Sequence, residues 1–187
     1  RSTIIQFLTN PPMMVGEKTR IRAKRLDDIV NEYLWRKDEE LSLLDATEPI
    51  TSTLQEYINW YAGGLPQLDD CCLLAVETIE GKHIGNCGCF NIDDVLGEVE
   101  LGIMIGDKSY WNRGYGSDAV STLVDNLFTA TIAQRIYLKT LDWNIRAQKC
   151  FEKCGFELRG SLKRGDHKFV IMSINRNHRR YTAQEIL

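Results

Sequence analysis

The organising pattern of the chain is a change of period near its middle. From residue 98, Glu98, Glu100 and Gly102 alternate with Val99, Leu101 and Ile103, the period of a half-buried strand. From residue 119, Ala119, Val120, Leu123, Val124, Leu127 and Phe128 recur at helical spacing and predict one apolar helix face. Shorter units flank this pair. Residues 19–23 alternate and predict a first strand. Asp27 or Asp28 can cap a helix to about residue 45, with Ile29, Val30, Tyr33, Leu34, Leu41 and Leu44 as its apolar face. A charged run at 36–40 interrupts that helix and reads as a solvated face. Thr51 or Ser52 can cap a second helix to about Tyr61, ended by Gly63 and Gly64.

Residues 71–78 and 83–91 predict strands joined by the turn Glu80-Gly81-Lys82, and Asp93, Asp94 and Gly97 turn the chain into the central strand. After the central helix come a strand at 135–140, a helix at 144–154 closed by Gly155, and strands at 156–162 and 167–174 linked by Lys163-Arg164-Gly165-Asp166. The order is βαα-βββ-α-β-α-ββ, an α/β (α+β) arrangement. It divides the chain into an N-terminal extension (1–18), one domain (19–175) and a C-terminal tail (176–187) with room for a short helix. The extension holds an apolar run, Ile4-Ile5-Gln6-Phe7-Leu8, before Pro11 and Pro12, which suits an ordered segment and a loose tail equally.

Between the central strand and helix lies Tyr110-Trp111-Asn112-Arg113-Gly114-Tyr115-Gly116-Ser117. Gly114 and Gly116 let the backbone turn tightly and bring bare N–H groups to a helix start, where unpaired donors and the dipole favour an anion. Two phosphate devices have this form. The segment 114–119 fits the dinucleotide pattern G-x-G-x-x-A, but residues 106–113 separate it from its strand, and the next strand supplies no acidic residue at its end.

The second device fits better. The segment resembles the acetyl-CoA motif Q/R-x-x-G-x-G/A of the GCN5-related N-acetyltransferases (GNAT), with Trp111 where Gln or Arg is usual. A start of Tyr-Trp is similar to the branch of ribosomal-protein N-terminal acetyltransferases. Downstream, Asn144, Ala147, Phe151, Lys153, Gly155 and Phe156 resemble the family's N-x-x-A-x-x-x-Y-x-K-x-G-F signature. The resemblance covers roughly residues 19–175 and implies a mixed, centrally splayed sheet with helices on both faces.

It also implies the site. Acetyl-CoA as cosubstrate would have its pyrophosphate held at Arg113, Gly114, Tyr115, Gly116 and Ser117, with Trp111 and Asn112 nearby. Its pantetheine would pair with backbone around Met104 and Ile105, where an N–H can stabilise the thioester oxyanion. Asn144 would bond the arm or a water, besides capping its own helix, and Phe151 and Lys153 complete the cofactor set. Glu100 is the candidate general base, with Glu98 two residues earlier on the same face as the reserve. Phe151 replaces the tyrosine that often protonates the leaving thiolate in the family. Tyr110, Tyr115 and Ser117 are nearby substitutes, and solvent can also serve a thiolate of ordinary basicity.

Bulk properties narrow the partners. The chain has 187 residues, 43% hydrophobic and 26% charged, enough for one domain with a substantial core. A formal charge of −3 argues against nucleic-acid binding through phosphate neutralisation. The six cysteines form no C-x-x-C pair and the three histidines are scattered, so no metal is expected and the thiols read as those of a cytoplasmic protein. No apolar run reaches membrane-spanning length, and residues 2–8 are too short for a signal peptide. The expectation is therefore direct acetyl transfer to a small-molecule or peptide amine: a protein N-terminus, polyamine, amino sugar or amino acid. A homodimer is compatible with the resemblance. The alternative is a non-catalytic acyl-CoA sensor on the same fold, and the dinucleotide-binding reading ranks below both.

Overall fold

The computed structural model describes residues 1–63 and 71–179. The elements are α1 (Ile4–Thr9), β1 (Met14–Val15), β2 (Thr19–Ala23), α2 (Ile29–Lys37), α3 (Glu39–Leu44) and α4 (Leu54–Ala62). Then follow β3 (Cys72–Thr78), β4 (His83–Asp93), β5 (Glu98–Ile105), α5 (Tyr115–Ala130), β6 (Arg135–Leu141), α6 (Ile145–Lys153), β7 (Glu157–Arg164) and β8 (His167–Asn175). The eight strands form one mixed sheet in the order β1-β2-β3-β4-β5-β6-β8-β7, antiparallel except where β5 meets β6.

That parallel contact is brief. It runs only from Glu98↔Arg135 to Glu100↔Tyr137. Beyond it β5 stays with β4 as far as Ile105, while β6 stays with β8 as far as Leu141. Each strand keeps its outer partner and loses its inner one, so the sheet opens into a V at its centre. The splay expected from the resemblance is present.

The two faces of the sheet are built differently. On one, α5 buries Leu123, Val124 and Leu127 with Val99, Leu101, Ile136 and Leu138, all at 3% exposure or less. Each such side chain contributes about 1.5–3 kcal/mol relative to exposure. On the other, a charge network lies beside α2. Arg22 grips Asp28 with two bonds of 2.8 and 2.9 Å and Glu77 with one of 2.6 Å, and Lys24 pairs with Glu32. His83 stands 3.4 Å from Asp28 and packs tilted against Trp35, with ring centroids 4.8 Å apart. The fold thus gathers one of the scattered histidines with Asp28 and Glu32, whose carboxylates Arg22 and Lys24 already hold.

Several expectations change. The N-terminal segment is ordered: Thr3 caps α1, Ile4 and Leu8 enter the core, and β1 adds an edge strand through Met14↔Ile21. A helix and a strand therefore precede the predicted order. The helix expected over 27–45 breaks at Asp38, whose side chain caps α3 by accepting from Leu41. With the axis broken, Ile29, Tyr33 and Leu41 are buried, but Val30 and Leu34 are 50% and 57% exposed. Thr53, not Thr51 or Ser52, caps α4 through a capping box with Glu56. Gly63 closes that helix with ordinary right-handed backbone, and Gly64 lies outside the described residues. In the tail, residues 176–179 make a helical turn. There Arg176 donates to the carbonyls of Phe128, Thr131 and Ala133, satisfying the C-terminal end of α5. Residues 180–187 of the expected tail lie outside the described residues.

Candidate active site

The V between β5 and β6 opens into a cavity of about 670 Å³. One wall is the inner edge of β5 from Leu101 to Ile105, and the other is Lys139, Thr140 and Leu141 of β6 with one face of α6 from Ile145 to Lys153. Ladder edges without a strand between them offer backbone groups to an extended ligand. At the far end, Gly114 adopts left-handed backbone (φ +84) and no side chain caps α5, so the first-turn N–H groups remain available. Asn112 is left-handed too (φ +57), a conformation that asparagine tolerates better than most residues. A Cβ on Gly116 would stand 3.6 Å from Cys150 Sγ, so α6 packs directly beside the turn.

One feature keeps this helix start open to anions despite an acidic first turn. Asp118 swings away and accepts from the N–H groups of Glu17, Lys18 and Thr19 and from the Thr19 hydroxyl. Its charge is spent on the β1–β2 loop.

Met104, Ile105, Trp111 and Asn112 all line the cavity, as do Gly114, Gly116 and Ser117. Asn144, Phe151 and Lys153 line it from the opposite side. Trp111 donates Nε1–H to the Ile105 carbonyl at 2.7 Å, which fixes the indole against the end of β5. Asn144 caps α6 by accepting from Ala147. Phe151 is 7% exposed and packs against Phe156, offering no proton. Arg113 and Tyr115 are not among the lining residues: the guanidinium lies over the rings of Tyr110 and Tyr115 and donates to the Ser109 carbonyl.

Glu98 and Glu100 also stand outside the lining, on the paired half of β5. Glu100 is the last β5 residue paired with β6, at the apex of the V. Its carboxylate accepts from Asn91 at 2.6 Å and from Lys139 at 3.0 Å. Asn91 reaches it from left-handed backbone (φ +48) where β4 slips register against β5. Glu98 pairs with Arg135 at 3.1 Å. Of the substitute proton donors, Tyr110 and Ser117 line the cavity, and the Ser117 hydroxyl donates to the Gly114 carbonyl. Cys150 lines it as well, but its hydrogen bond to Cys154 and its burial push its thiol up, against a nucleophilic role.

Other lining residues carried no motif. Leu41, Leu44 and Asp45 reach the cavity from α3 and its end, and Lys139, Arg146 and Lys149 bring charge. The spacing of Arg146, Lys149 and Lys153 at i, i+3 and i+7, one helical stripe, was the available signal for the last group.

Comparison with known proteins bears on the family and the fold. A family model described as an acetyltransferase (GNAT) domain matches residues 18–157. An uncharacterized N-acetyltransferase, p20, of Bacillus licheniformis is 34% identical over 80 residues, which are 43% of this chain and 44% of that protein. The chain spans less than half the length of the first curated relatives it matches. A spermidine N-acetyltransferase of Vibrio cholerae, solved with CoA and spermine, superposes with a TM-score of 0.74 at 19% identity, over 86% of this chain and 96% of that one. An aminoglycoside acetyltransferase solved with coenzyme A gives 0.74 at 21% identity, over 88% and 99%. Those two likenesses speak for the fold, and the family model for the lineage: the chain belongs to the GNAT acetyltransferase domain family.

Proposed function

We propose that the protein transfers an acetyl group from acetyl-CoA to a primary amine by direct attack. The observation that carries this reading is the parting of β5 and β6 after Glu100↔Tyr137, which opens a cavity ending at the uncapped, glycine-led start of α5. Acetyl-CoA supplies the activated acyl group. The left-handed turn at Gly114 and the first-turn N–H groups would hold its diphosphate. The open edge of β5 at Met104 and Ile105 would hold its arm, with a backbone N–H stabilising negative charge on the thioester oxygen. Glu100, held by Asn91 and Lys139 at the apex, would take the proton from the amine as that amine attacks. Tyr110 or solvent would return a proton to the thiolate in place of Phe151.

The acceptor is a primary amine. The Tyr110-Trp111 start of the glycine motif supports a place near the ribosomal-protein N-terminal acetyltransferases, and so a peptide N-terminus. The spermidine and aminoglycoside enzymes of like fold add polyamines and amino sugars to the screen. A cytoplasmic homodimer belongs to the same reading; the outer edge β7, almost wholly exposed, offers it a surface. A non-catalytic acyl-CoA sensor is the second reading, favoured by Phe151.

The test is thiol release from acetyl-CoA across these amines, with wild type and Glu100→Gln. Turnover that falls about 10²–10⁴-fold in the variant, with CoA affinity unchanged, supports the enzyme and its base. CoA binding without turnover on any amine supports the sensor.

A further inference from the structure

The cation that sequence places at the glycine turn, Arg113, is committed to the rings of Tyr110 and Tyr115 and to the Ser109 carbonyl. Another arginine reaches the cavity from across the V. Arg146, in the first turn of α6, lays its guanidinium 3.5 Å above the Trp111 ring. Among the described residues it makes no hydrogen bond and no ion pair, and it lines the cavity together with Gly114 and Gly116. Its platform is rigid, because Trp111 is tied to Ile105 by its own N–H. Stacking leaves the in-plane N–H groups of a guanidinium free for a fork-like grip on an oxyanion.

The direction of the helix supports the assignment. Cys150, one turn after Arg146 on the same face, stands beside Gly116, so this face of α6 looks onto the start of α5. Glu40, the carboxylate whose charge acts on Arg146, and Asp38 are both engaged by Lys108 at 2.8 Å, and Asp45, which lines the cavity, pairs with Arg36 at 3.5 Å. An unpaired, oriented cation thus faces a set of unpaired N–H groups across one cavity. Both are donors, and an anion between them satisfies both.

We propose that Arg146, stacked on Trp111, grips the diphosphate of the cosubstrate from the α6 side and closes over it against the glycine turn. Trp111 then has a function in the motif position where Gln or Arg is usual: it is the platform for a cation supplied by another element. The proposal rests on acetyl-CoA being the cosubstrate.

The experiment compares wild type, Arg146→Gln and Arg146→Lys by titration with CoA and dephospho-CoA, and by turnover with acetyl-CoA and with acetyl-pantetheine, which lacks the diphosphate. Charge-assisted bonds of ordinary strength predict that Arg146→Gln weakens CoA and dephospho-CoA alike by about 10- to 100-fold. Turnover of acetyl-pantetheine should change less than twofold. Arg146→Lys, which keeps the charge and loses the planar fork, should fall between. Unchanged CoA affinity would overturn the proposal, as would an equal loss with acetyl-pantetheine, which marks a damaged cavity. A loss seen with CoA but not with dephospho-CoA would move the contact to the 3′-phosphate and overturn the diphosphate assignment. If wild type binds neither CoA nor dephospho-CoA, the cosubstrate reading itself fails.

Discussion

Asp28 shows how much of this fold depends on single charged groups. Burial pushes its carboxyl up, but the Arg22 guanidinium, the Arg25 N–H and nearby His83 outweigh it and hold the group below its ordinary value. A carboxyl depressed in the folded state stabilises fully above its unfolded value, about 3.9, and loses that contribution as pH falls through the folded value. Stability should therefore decline on acidification below about pH 4. Asp28→Asn leaves Arg22 without its bidentate partner, and breaking a buried pair typically costs about 3–5 kcal/mol at neutral pH. The variant should also lose less on going from pH 5 to pH 3. Urea unfolding at pH 7, 5 and 3 measures both effects, and equal acid sensitivity in the two proteins would refute the assignment. Glu100 is held as closely by Asn91 and Lys139, so its orientation is fixed before any substrate arrives.

At the scale of elements, the link from β5 to α5 decides the shape of the site. Gly106 follows the last residue of β5, and the Trp35 indole occupies the space its side chain would need. Gly106→Ala would force the indole or the strand end to move, at about 1–3 kcal/mol for overpacking. Because Ile105 anchors Trp111, it should also weaken CoA binding, which calorimetry on the folded variant would detect. Unchanged affinity in a destabilised variant would separate Trp35 from the site. The strands and helices around this link were legible in sequence because period two and period 3.6 survive there undisturbed, as in Val99, Leu101 and Ile103 against Leu123, Val124 and Leu127. The break at Asp38 was not, because a capping aspartate in a charged run looks the same as a solvated helix face. The contribution of α3 to the cavity was hidden with it. So was that of Lys139: its place depends on how far two strands diverge, a tertiary quantity that local spacing does not encode.

For the whole molecule, the sheet divides the work. The α5 face supplies an apolar core, the α2 side a network of charges, and the V between β5 and β6 is where ladder pairing is given up and a cavity opens. The N-terminal segment shares in this frame, since Ile4 and Leu8 join the main core and β1 caps the sheet edge. That the chain is a GNAT domain follows from its family match; that the V is a working acetyl-CoA site is the central claim. Its most direct test is thermal unfolding of the purified protein with saturating acetyl-CoA, CoA and NAD(H) in parallel. A ligand at a hundredfold excess over its Kd adds about 2.7 kcal/mol, a shift easily seen. The account predicts a higher Tm with acetyl-CoA and with CoA and none with NAD(H). No shift with either CoA ligand, in protein shown to be free of bound CoA, or a shift with NAD(H) alone, would contradict it.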